Sequence, residues 1–556
     1  MKWNFLSDKL LDDRGSGSVV KKLLEVRDVS DIGMFLSPAL EGLHDPFLLE
    51  GVGEGCKRIL EAIESNKKIS IFGDFDVDGI ASTALLLKVL RKFGGDVDFY
   101  IPHRLEDGYG LNKSGIAELK GRGTELIITV DCGINGAEEI EYARELGMEV
   151  IVTDHHLPEK DNPAEIKINP YLSASYPYKE LAGVGVAFKL CHGLAKKTSL
   201  SENFLFWNLD LVALGTVADI MPLTGENRII TALGLKIMNE NRRPGIVSLL
   251  NNSNFKKGKI QAWHIAFLIA PRINALGRLE DAREAVDLLC TYSKSEANSI
   301  AAKLEKHNIK RKKIQDKIYK EALDFLRASI VKENTGIVLS SEDWHEGVIG
   351  IVASKIVEEF NRPVILIVEK DGICRGSGRS IPGFNITDSL KELSVFLEEF
   401  GGHAQACGIS IRKENINGFK EAFNNEVEKI LKDRVMEKEL LIDFPLSISY
   451  VDEELVKSLE SLAPFGVGNP APVFAALDIE LADIPNIVGK NHLKFTVRDA
   501  NKCISCIGFS LGDKIDLLRN SKKFSIAYSP FVDEWNGGVS LKIHDIKKGV
   551  FAAKFC

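Results

Sequence analysis

Between Lys68 and about His156 the chain alternates short apolar runs with polar loops and with segments of helical apolar spacing. The apolar runs are rich in β-branched residues and indicate strands at 69–72, 97–101, 126–130 and 150–153. Helical segments follow the first and third runs, at 81–93 and up to Leu146. Strands that alternate with helices predict a parallel sheet with helices on both of its faces.

A long helical stretch comes next. Neither glycine nor proline occurs between Gly277 and Gly336, and apolar residues near the end of this stretch fall at helical spacing: Ile314, Ile318, Ala322 and Phe325. Beyond it, strand-like runs at 336–339 and 363–368 flank a helical segment near 349–360. The pattern predicts a long helix that bridges to a second, smaller α/β domain, whose loops hold the segments RGSGRS (375–380) and GGHA (401–404).

The last part of the chain, from about Leu440, contains a turn-rich connector at 464–470. Short alternating runs such as 493–497 and 539–543 are then separated by turns. This pattern favours a small β-barrel, and an OB-fold in particular.

The predicted fold is therefore α/β, with a parallel-sheet catalytic domain, a long helix, a smaller α/β domain and a C-terminal β-barrel. The chain of 556 residues is too long for one core. We expect five parts. Residues 1–50 form an N-terminal segment that packs on the catalytic domain, and residues 51–280 form the catalytic domain itself. Connecting helices follow at 281–330, the smaller α/β domain at 331–435, and the β-barrel with its connector at 436–556.

Composition and charge narrow the class of protein only slightly. No run of about 18 apolar residues occurs, and charges fall where a signal peptide needs its apolar stretch, so a cytoplasmic protein without membrane contact is expected. The net charge of −8 gives no global sign of nucleic-acid binding. Residues 290–329 carry ten Lys and Arg against five Asp and Glu, which is typical either of a solvated helix face or of a surface that follows phosphates.

The segment GDFDVDG (73–79) resembles the start of a calcium-binding helix-loop-helix. In that motif position 12 is a bidentate Glu, but Leu85 stands there in this chain. The preceding run, 69–72, also predicts an entering strand where the calcium motif has a helix. A calcium loop is therefore not expected. A zinc ribbon is not expected at Cys503 and Cys506 either, because the second cysteine pair is missing.

Asp and His residues follow successive predicted strands, and since the carboxyl ends of parallel strands meet at one edge of a sheet, we expect these side chains to converge. The set, with one residue from further along the chain, is Asp74, Asp76, Asp78, Asp131, Asp154, His155, His156 and Asp219. Converging carboxylates repel one another and protonate unless cations neutralise them. Oxygen donors alone would suit Mg²⁺, and the added imidazoles shift the expectation toward Mn²⁺, with Zn²⁺, Co²⁺ and Fe²⁺ as competitors. Two such ions, Mn²⁺ or Mg²⁺, are expected. A single Asp after a strand is more often a helix N-cap.

Arginine-bearing segments predict an anion pocket near these carboxylates. They are PHR (102–104), PRINALGR (271–278) and RGSGRS (375–380), in which glycines let backbone amides approach a phosphate. Tyr109 is placed to stack on a base, although a packing role fits the sequence equally well.

The ordered motifs resemble those of the RecJ family of single-strand-specific 5′ to 3′ exonucleases, within the DHH phosphoesterase superfamily. The matching segments are GDFDVDG, VDCGI, TDHH, GTVAD, PRINALGR, GSGRS, GGHA and PFGVGNP. The likeness covers nearly the whole chain and implies DHH, DHHA1 and OB-fold domains. Cys132 and Cys407 depart from the residues common in the family, and no proposed ligand is lost.

The resemblance implies a role for each matching position. Metal ligands are expected at Asp74, Asp76, Asp78, Asp131, His155 and Asp219, with Asp131 as the bridge and with Asp154 and His156 completing or supporting the set. Catalytic residues are expected at Asp131, His155, His156 and His403. Contacts to the substrate and its 5′ phosphate are expected from Arg104, Tyr109, Arg278, Ser377 and Arg379.

The implied function is hydrolysis of single-stranded DNA to mononucleotides in recombination and repair. Single-strand-binding protein and a RecQ-type helicase are the implied partners, a monomer suffices, and no accessory domain is expected after the barrel. Two alternatives stay open: a DHH phosphodiesterase of short oligonucleotides or cyclic dinucleotides, and an inactive replication scaffold. The barrel region disfavours the first alternative, and retention of every proposed ligand disfavours the second.

Overall fold

The computed structural model describes residues 1–9, 15–103, 108, 110–198, 201–240, 242–253, 255, 258–328, 336–432, 437–500, 502–533 and 537–549. The chain forms two compact units. The barrel unit contains residues 1–43, 222–232 and 437–556, and the two-sheet unit contains residues 44–221 and 233–436.

The strands in chain order are β1 (Lys2–Phe5), β2 (Ile69–Phe72), β3 (Val97–Tyr100), β4 (Leu126–Val130), β5 (Glu149–Thr153), β6 (Ile166–Ile168), β7 (Ile337–Ser341), β8 (Val364–Val368), β9 (Ile373–Arg379), β10 (Leu397–His403), β11 (Ala406–Arg412), β12 (Glu439–Ile442), β13 (Phe444–Pro445), β14 (Phe474–Leu481), β15 (Asn486–Val488), β16 (His492–Asp499), β17 (Lys502–Gly508), β18 (Phe524–Val532) and β19 (Val539–Lys548).

The helices in chain order are α1 (Ser16–Val26), α2 (Ile32–Leu36), α3 (Val52–Glu64), α4 (Val77–Lys92), α5 (Lys113–Gly121), α6 (Ala137–Glu145), α7 (Gly183–Lys197), α8 (Glu202–Phe206), α9 (Leu209–Ala218), α10 (Gly225–Asn239), α11 (Pro244–Asn251), α12 (Ala262–His264), α13 (Ala270–Leu279), α14 (Arg283–Cys290), α15 (Lys294–Ala328), α16 (Glu346–Phe360), α17 (Ile386–Glu392), α18 (Ile416–Leu431), α19 (Glu453–Glu460) and α20 (Ile515–Arg519). Among the helices of the described residues, none has both the length and the apolar composition that a bilayer crossing requires.

The first sheet of the two-sheet unit is the parallel sheet that the sequence predicts. Its strand order is β3-β2-β4-β5-β6, and every pairing is parallel. All residues of β2 and β4 are buried, which explains why these central strands are continuous apolar runs instead of alternating ones. The loops after β2, β4 and β5 therefore leave the sheet at the same edge.

The second sheet of this unit has the order β10-β11-β9-β8-β7, with β7 and β8 parallel and the other pairs antiparallel. The predicted long helix is α15. The segments 375–380 and 401–404 were expected in loops, and this expectation is wrong, because their residues lie mostly in β9 and β10. Glycines replace the usual apolar side chains on one face of β9: a Cβ atom on Gly376 would lie 2.7 Å from Cγ1 of Ile409.

The barrel unit is a seven-stranded sheet of order β13-β14-β18-β19-β17-β16-β15, and it closes on itself because β14 also pairs with β16. Its core includes Phe495, Phe524 and Tyr528, together with Leu23 of α1. Residues 1–43 group with the barrel unit, in which strand β1 pairs in parallel with β12. The expectation that residues 1–50 pack on the catalytic domain stays a prediction.

Candidate metal centre and phosphate pocket

Three loops at the carboxyl edge of the parallel sheet supply a cluster of acidic and imidazole side chains. The loop after β2 carries Asp74 and Asp76, and Asp78 follows in the first turn of α4. The residue after β4 is Asp131, and the loop after β5 begins with residues 154–156. Asp219 joins the cluster from the carboxyl end of helix α9, not from a strand. The convergence predicted from the sequence is therefore present in the structure.

Backbone amides hold the first group of carboxylates in place. Asp76 is the N-cap of α4, and its Oδ1 accepts hydrogen bonds from the amides of Asp78 (2.9 Å) and Gly79 (3.2 Å). The carboxylate of Asp78 accepts from the amides of Gly183 (2.7 Å) and Val184 (3.0 Å) at the start of α7. Amide donors at helix N-termini stabilise negative charge, so these bonds fix carboxylates that are otherwise costly to bury.

Asp154 organises the histidine pair. Its Oδ1 accepts from the amides of His155 (2.7 Å) and His156 (3.1 Å) and lies 2.7 Å from Nδ1 of His156. Its Oδ2 accepts from the amide of Ile134 at 3.0 Å. Burial alone lowers the pKa of His156, but the hydrogen bond and charge of Asp154 outweigh it and raise that pKa to about 9. Asp154 thus orients the His156 ring through its Nδ1.

His155 sits between two carboxylates. Its Nε2 lies 3.2 Å from Oδ1 of Asp131 and 3.6 Å from Oδ2 of Asp219. Burial and the neighbouring His156 lower the pKa of His155 to about 4. At neutral pH this imidazole is therefore uncharged, which is the state that donates an electron pair to a metal ion.

The cluster has the composition of a site for divalent ions. Within the described part of the chain, three sets of donor atoms lie within 4.8 Å of one another: Asp131, His155 and His156; Asp78, His155 and Asp219; and Asp74, Asp76 and Asp131. Burial and mutual repulsion raise the pKa of Asp131 and Asp219 well above the ordinary value, and burial and Asp76 raise that of Asp78 to about 7. Cations relieve such repulsion, so these residues fit metal ions.

Two glycines that the sequence analysis did not single out create room for this cluster. A Cβ atom on Gly183 would lie 2.5 Å from Oδ1 of Asp131, and one on Gly215 would lie 2.5 Å from Oδ1 of Asp78. Both distances are far below van der Waals contact. Gly215 opens the segment GTVAD, but the local sequence does not reveal why either position needs glycine, since each glycine faces a carboxylate from a distant part of the chain.

A cavity of about 470 Å³ lies beside the cluster. Its lining residues are Phe75, Asp76, Gly108, Asn274, Arg278, Arg375 and Gly408. Arg278 comes from the end of α13, and its Nη1 donates to the carbonyl of Gly347 at the start of α16 (2.8 Å). Arg375, which lies on β9, was not assigned a role by the resemblance, yet it shares this cavity with Arg278.

The other expected substrate residues are placed differently or lie outside the described residues. Nη1 of Arg379 donates to Oγ of Ser377 (3.2 Å) and to the carbonyl of Gly378 (2.7 Å), and neither Ser377 nor Arg379 lines the cavity. His403 is exposed on β10 and does not belong to the three donor sets. Arg104 and Tyr109 lie outside the described residues.

The two cysteines that depart from the family pattern are packed in the interior. Cys132 donates to the carbonyl of Phe72 (3.7 Å), and Cys407 faces Gly378, where a Cβ atom would lie 2.4 Å from its Sγ. Burial raises the pKa of Cys132 well above its ordinary value and that of Cys407 to about 12. Both thiols are therefore protonated at neutral pH and serve as small apolar groups.

Comparison with known proteins decides the family. The DHH family, N-terminal domain, matches residues 68–216, the DHHA1 domain matches residues 333–429, and the RecJ OB domain matches residues 442–545. The chain is 37% identical over 533 residues to the single-stranded-DNA-specific exonuclease RecJ of Escherichia coli, which covers 91% of this chain and 92% of that protein. This chain belongs to the RecJ family.

Other RecJ proteins agree with this assignment. The RecJ of Bacillus subtilis is 38% identical over 508 residues, which cover 90% of this chain but only 64% of that longer protein. The crystal structure of RecJ from Thermus thermophilus in complex with Mn²⁺ matches 99% of this chain and 80% of that chain, with a TM-score of 0.84 and 28% sequence identity. The RecJ fold therefore extends over both units described above.

Proposed function

We propose that this chain is a metal-dependent exonuclease that degrades single-stranded DNA from a 5′ end and releases mononucleotides. The observation that carries the proposal is the buried Asp and His cluster beside a cavity lined by Arg278 and Arg375. The names of the RecJ relatives support the activity and the single-stranded substrate. The relatives solved with Mn²⁺ and with Mg²⁺ support these two ions as cofactors.

The proposed metal ligands are Asp74, Asp76, Asp78, Asp131, His155 and Asp219, with Asp131 between the two ions. When bound, two divalent ions activate a water molecule and neutralise charge on the phosphodiester and its leaving oxygen. Asp131 and His155 each belong to two of the three donor sets. A carboxylate has two oxygen donors, whereas an imidazole offers one lone pair to a metal, which supports Asp131 as the shared ligand.

Hydrogen bonds within the chain fix the positions of side chains at this site. Amides at the start of α7 fix the carboxylate of Asp78, and Asp154 fixes the ring of His156. Residues held by such hydrogen bonds need no reorganisation when the substrate arrives. We propose that His156 then faces the reacting phosphate and that His403 approaches the scissile bond when a strand is bound.

Arg278 and Arg375 are proposed to bind phosphate oxygens in the cavity, because guanidinium groups form strong charge-assisted bonds to phosphate. Arg104, Tyr109, Ser377 and Arg379 keep the substrate roles that the family resemblance implies, as part of the proposal. Phosphate contacts carry no sequence information, so weak sequence preference and strong salt dependence are expected.

The wider biological setting belongs to the same proposal. It includes roles in recombination and repair, single-strand-binding protein and a RecQ-type helicase as partners, a monomeric state and a cytoplasmic location. The division at residues 51–280, 281–330, 331–435 and 436–556 also stays a prediction.

The decisive experiment measures hydrolysis of three end-labelled substrates with Mn²⁺ or Mg²⁺. They are a single DNA strand with a 5′ phosphate, the same strand in a blunt duplex, and a four-nucleotide RNA. We expect metal-dependent loss of nucleotides from the 5′ end of the single strand only. Asp131→Ala is expected to abolish this activity, because it removes the shared ligand.

Asp324→Ala is the matched control, since Asp324 lies on the exposed surface of α15, where it pairs with Arg327 in the same helix turn. It should cleave like the wild type. Preference for the short RNA would instead assign the chain to the oligonucleotide phosphodiesterases. No cleavage with either metal would favour an inactive scaffold.

A further inference from the structure

A continuous helical run from residue 262 to residue 279 leads into the cavity. It consists of α12, a π-helical turn at Ile265–Ile269, and α13. Five side chains that are not buried form a row along it at spacings of four, four, three and four residues: Trp263, Phe267, Pro271, Asn274 and Arg278. Ala266 and Leu268, beside this row, are also partly exposed. The last two line the cavity, so the same row of side chains continues outward from the proposed phosphate pocket.

The outer end of this row is aromatic and exposed. Phe267 is 71% exposed and Trp263 is 49% exposed. Ile265, which lies between them in the sequence, is fully buried in the core, whereas the two exposed rings are not part of that core. Large exposed aromatic side chains that continue a binding cavity are typical of a ligand surface.

The indole of Trp263 is held rigidly with one face packed. It stacks on the ring of His264 with centroids 3.8 Å apart and an interplanar angle of 29°. Nδ1 of His264 accepts from the amide of Gln261 (2.9 Å), and Nε1 of Trp263 donates to Oε1 of Gln261 (3.1 Å). One face of the indole therefore packs on the imidazole of His264. Because Trp263 is 49% exposed, the indole can stack on a second planar group.

We propose that Trp263 and Phe267 form a stacking platform for the bases of a single strand whose 5′ end lies in the cavity. This inference rests on the proposed function. Every base offers a flat face, so aromatic stacking binds single strands without sequence preference, whereas paired bases in a duplex are hidden. The platform thus selects for single strands at a distance from the reacting phosphate.

The spacing sets a minimum substrate length. Phe267 precedes Arg278 by eleven residues, or about 16 Å along a helix. A stacked strand rises about 3.4 Å per nucleotide, so about five nucleotides reach the platform, and fewer when the strand is extended. A dinucleotide with a 5′ phosphate fills the cavity but does not reach Phe267.

The test compares Phe267→Ala with the wild type on a 5′-phosphorylated twelve-nucleotide thymidine strand and on the matching dinucleotide. We expect at least a fivefold rise in KM for the long strand, unchanged kcat, and unchanged KM for the dinucleotide. Phe267→Trp should keep the wild-type KM, and Phe267→Leu, which keeps the apolar surface without an aromatic face, should behave like Phe267→Ala. Val395→Ala, at an apolar residue that is 82% exposed elsewhere in the two-sheet unit, is the control and should change neither value.

Binding measured without turnover separates this inference from the proposed function. With EDTA present, fluorescence anisotropy of a labelled twelve-nucleotide strand should show at least fivefold weaker binding by Phe267→Ala. If the wild type cleaves neither substrate, the proposed function fails and anisotropy still decides the platform. The platform is refuted if Phe267→Leu retains wild-type affinity, which would indicate an apolar surface for a protein partner, or if Phe267→Ala weakens long and short substrates equally or not at all.

Discussion

The shape of the proposed metal site depends on backbone positions as much as on its carboxylates. Asp131 has a φ of 62°, in the left-handed region that non-glycine residues rarely adopt. Strain of this kind persists where the surroundings over-determine it and is common at functional sites. Gly183 then approaches so closely that only a hydrogen atom fits between its Cα and the Asp131 carboxylate.

Gly183→Ala is therefore expected to displace the Asp131 side chain, since the new Cβ would lie 2.5 Å from Oδ1. Displacing a group that orients metal ligands typically weakens metal affinity about 10- to 100-fold. Titration calorimetry with Mn²⁺ measures the effect. Gly185→Ala, in the same helix, is the control, because the nearest atoms to its Cβ would be those of the Leu181 side chain, at 3.2 Å and beyond, and not a proposed metal ligand. Equal Mn²⁺ affinity in both variants would show that the clearance at Gly183 has no role.

Arg375→Gln tests whether Arg375, which lines the cavity beside Arg278, binds a phosphate of the substrate. Removing one phosphate contact should raise KM for single-stranded DNA and reduce the slope of log affinity against log salt by about 1. Arg412→Gln is the control, because Arg412 is exposed on the neighbouring strand β11 and pairs with Glu398. An unchanged salt slope for Arg375→Gln would remove Arg375 from the substrate site.

At the level of residues, the sequence predicts where the carboxylates converge, but it does not predict which residues pack around them. Asp131 is predictable because it ends an apolar run, and strand ends share one edge of a parallel sheet. Gly183 and Gly215 are not predictable, because their requirement arises from carboxylates that only the folded chain brings near. Arg375 was visible in its motif, but its distance from Arg278 depends on the packing of α13 against α16.

Among the elements, α13 connects the first sheet to the second. Oδ1 of Asn274 accepts from the amide of Val77 (3.1 Å) at the start of α4. A Cβ atom on Gly277 would lie 2.6 Å from the carbonyl oxygen of Phe75. One helix therefore braces the loop that carries Asp76 and also places Arg278 in the cavity.

Asn274→Leu should loosen this loop, because it removes the oxygen that accepts from the amide of Val77 at the start of α4. Leucine is similar in size to asparagine, so the change mainly removes the hydrogen bond. We expect Mn²⁺ affinity and kcat to fall together, while the melting temperature falls by only a few degrees, as for the loss of a helix cap worth about 1 kcal/mol. Asn385→Leu removes a cap from α17, where Oδ1 accepts from Thr387, and serves as the control. It should lower stability similarly and leave Mn²⁺ affinity intact. The bracing role is refuted if both variants bind Mn²⁺ like the wild type.

Element by element, periodicity predicts strands and helices that have a continuous apolar face. Strands β2, β4 and β8 and helix α15 are of this kind, and all were expected. Strand β9 was read as a loop because Gly376 and Gly378 occupy the face where apolar residues normally reveal a strand. Those glycines are needed because Ile409 and Cys407 fill that space.

At the scale of the whole molecule, the barrel unit is assembled from three segments that are far apart in the chain. Arg228 of α10 joins all three. Its guanidinium donates to the carbonyl of Phe35 through Nε (2.9 Å) and Nη2 (2.8 Å), and to the carbonyls of Leu462 and Ala463 (both 2.9 Å). It also stacks on the Phe35 ring, with its Cζ 3.6 Å from the ring centroid. The side chain is only 2% exposed, and burial lowers its pKa to about 10, so it remains charged at neutral pH.

Arg228→Met is expected to destabilise the barrel unit by about 3 kcal/mol, because the carbonyls of two chain segments, at Phe35 and at Leu462 and Ala463, lose their shared donor. Hydrogen exchange followed by mass spectrometry measures this locally. Exchange should become faster in peptides from α1 and from β14 to β19, while peptides from β2 and β4 serve as an internal reference. Arg242→Met is the control, because Arg242 is exposed, stacks on Trp207 and pairs with Glu240. Unchanged exchange in Arg228→Met would mean that the cost of burying the guanidinium cancels its hydrogen bonds, and that apolar packing alone holds the three segments together.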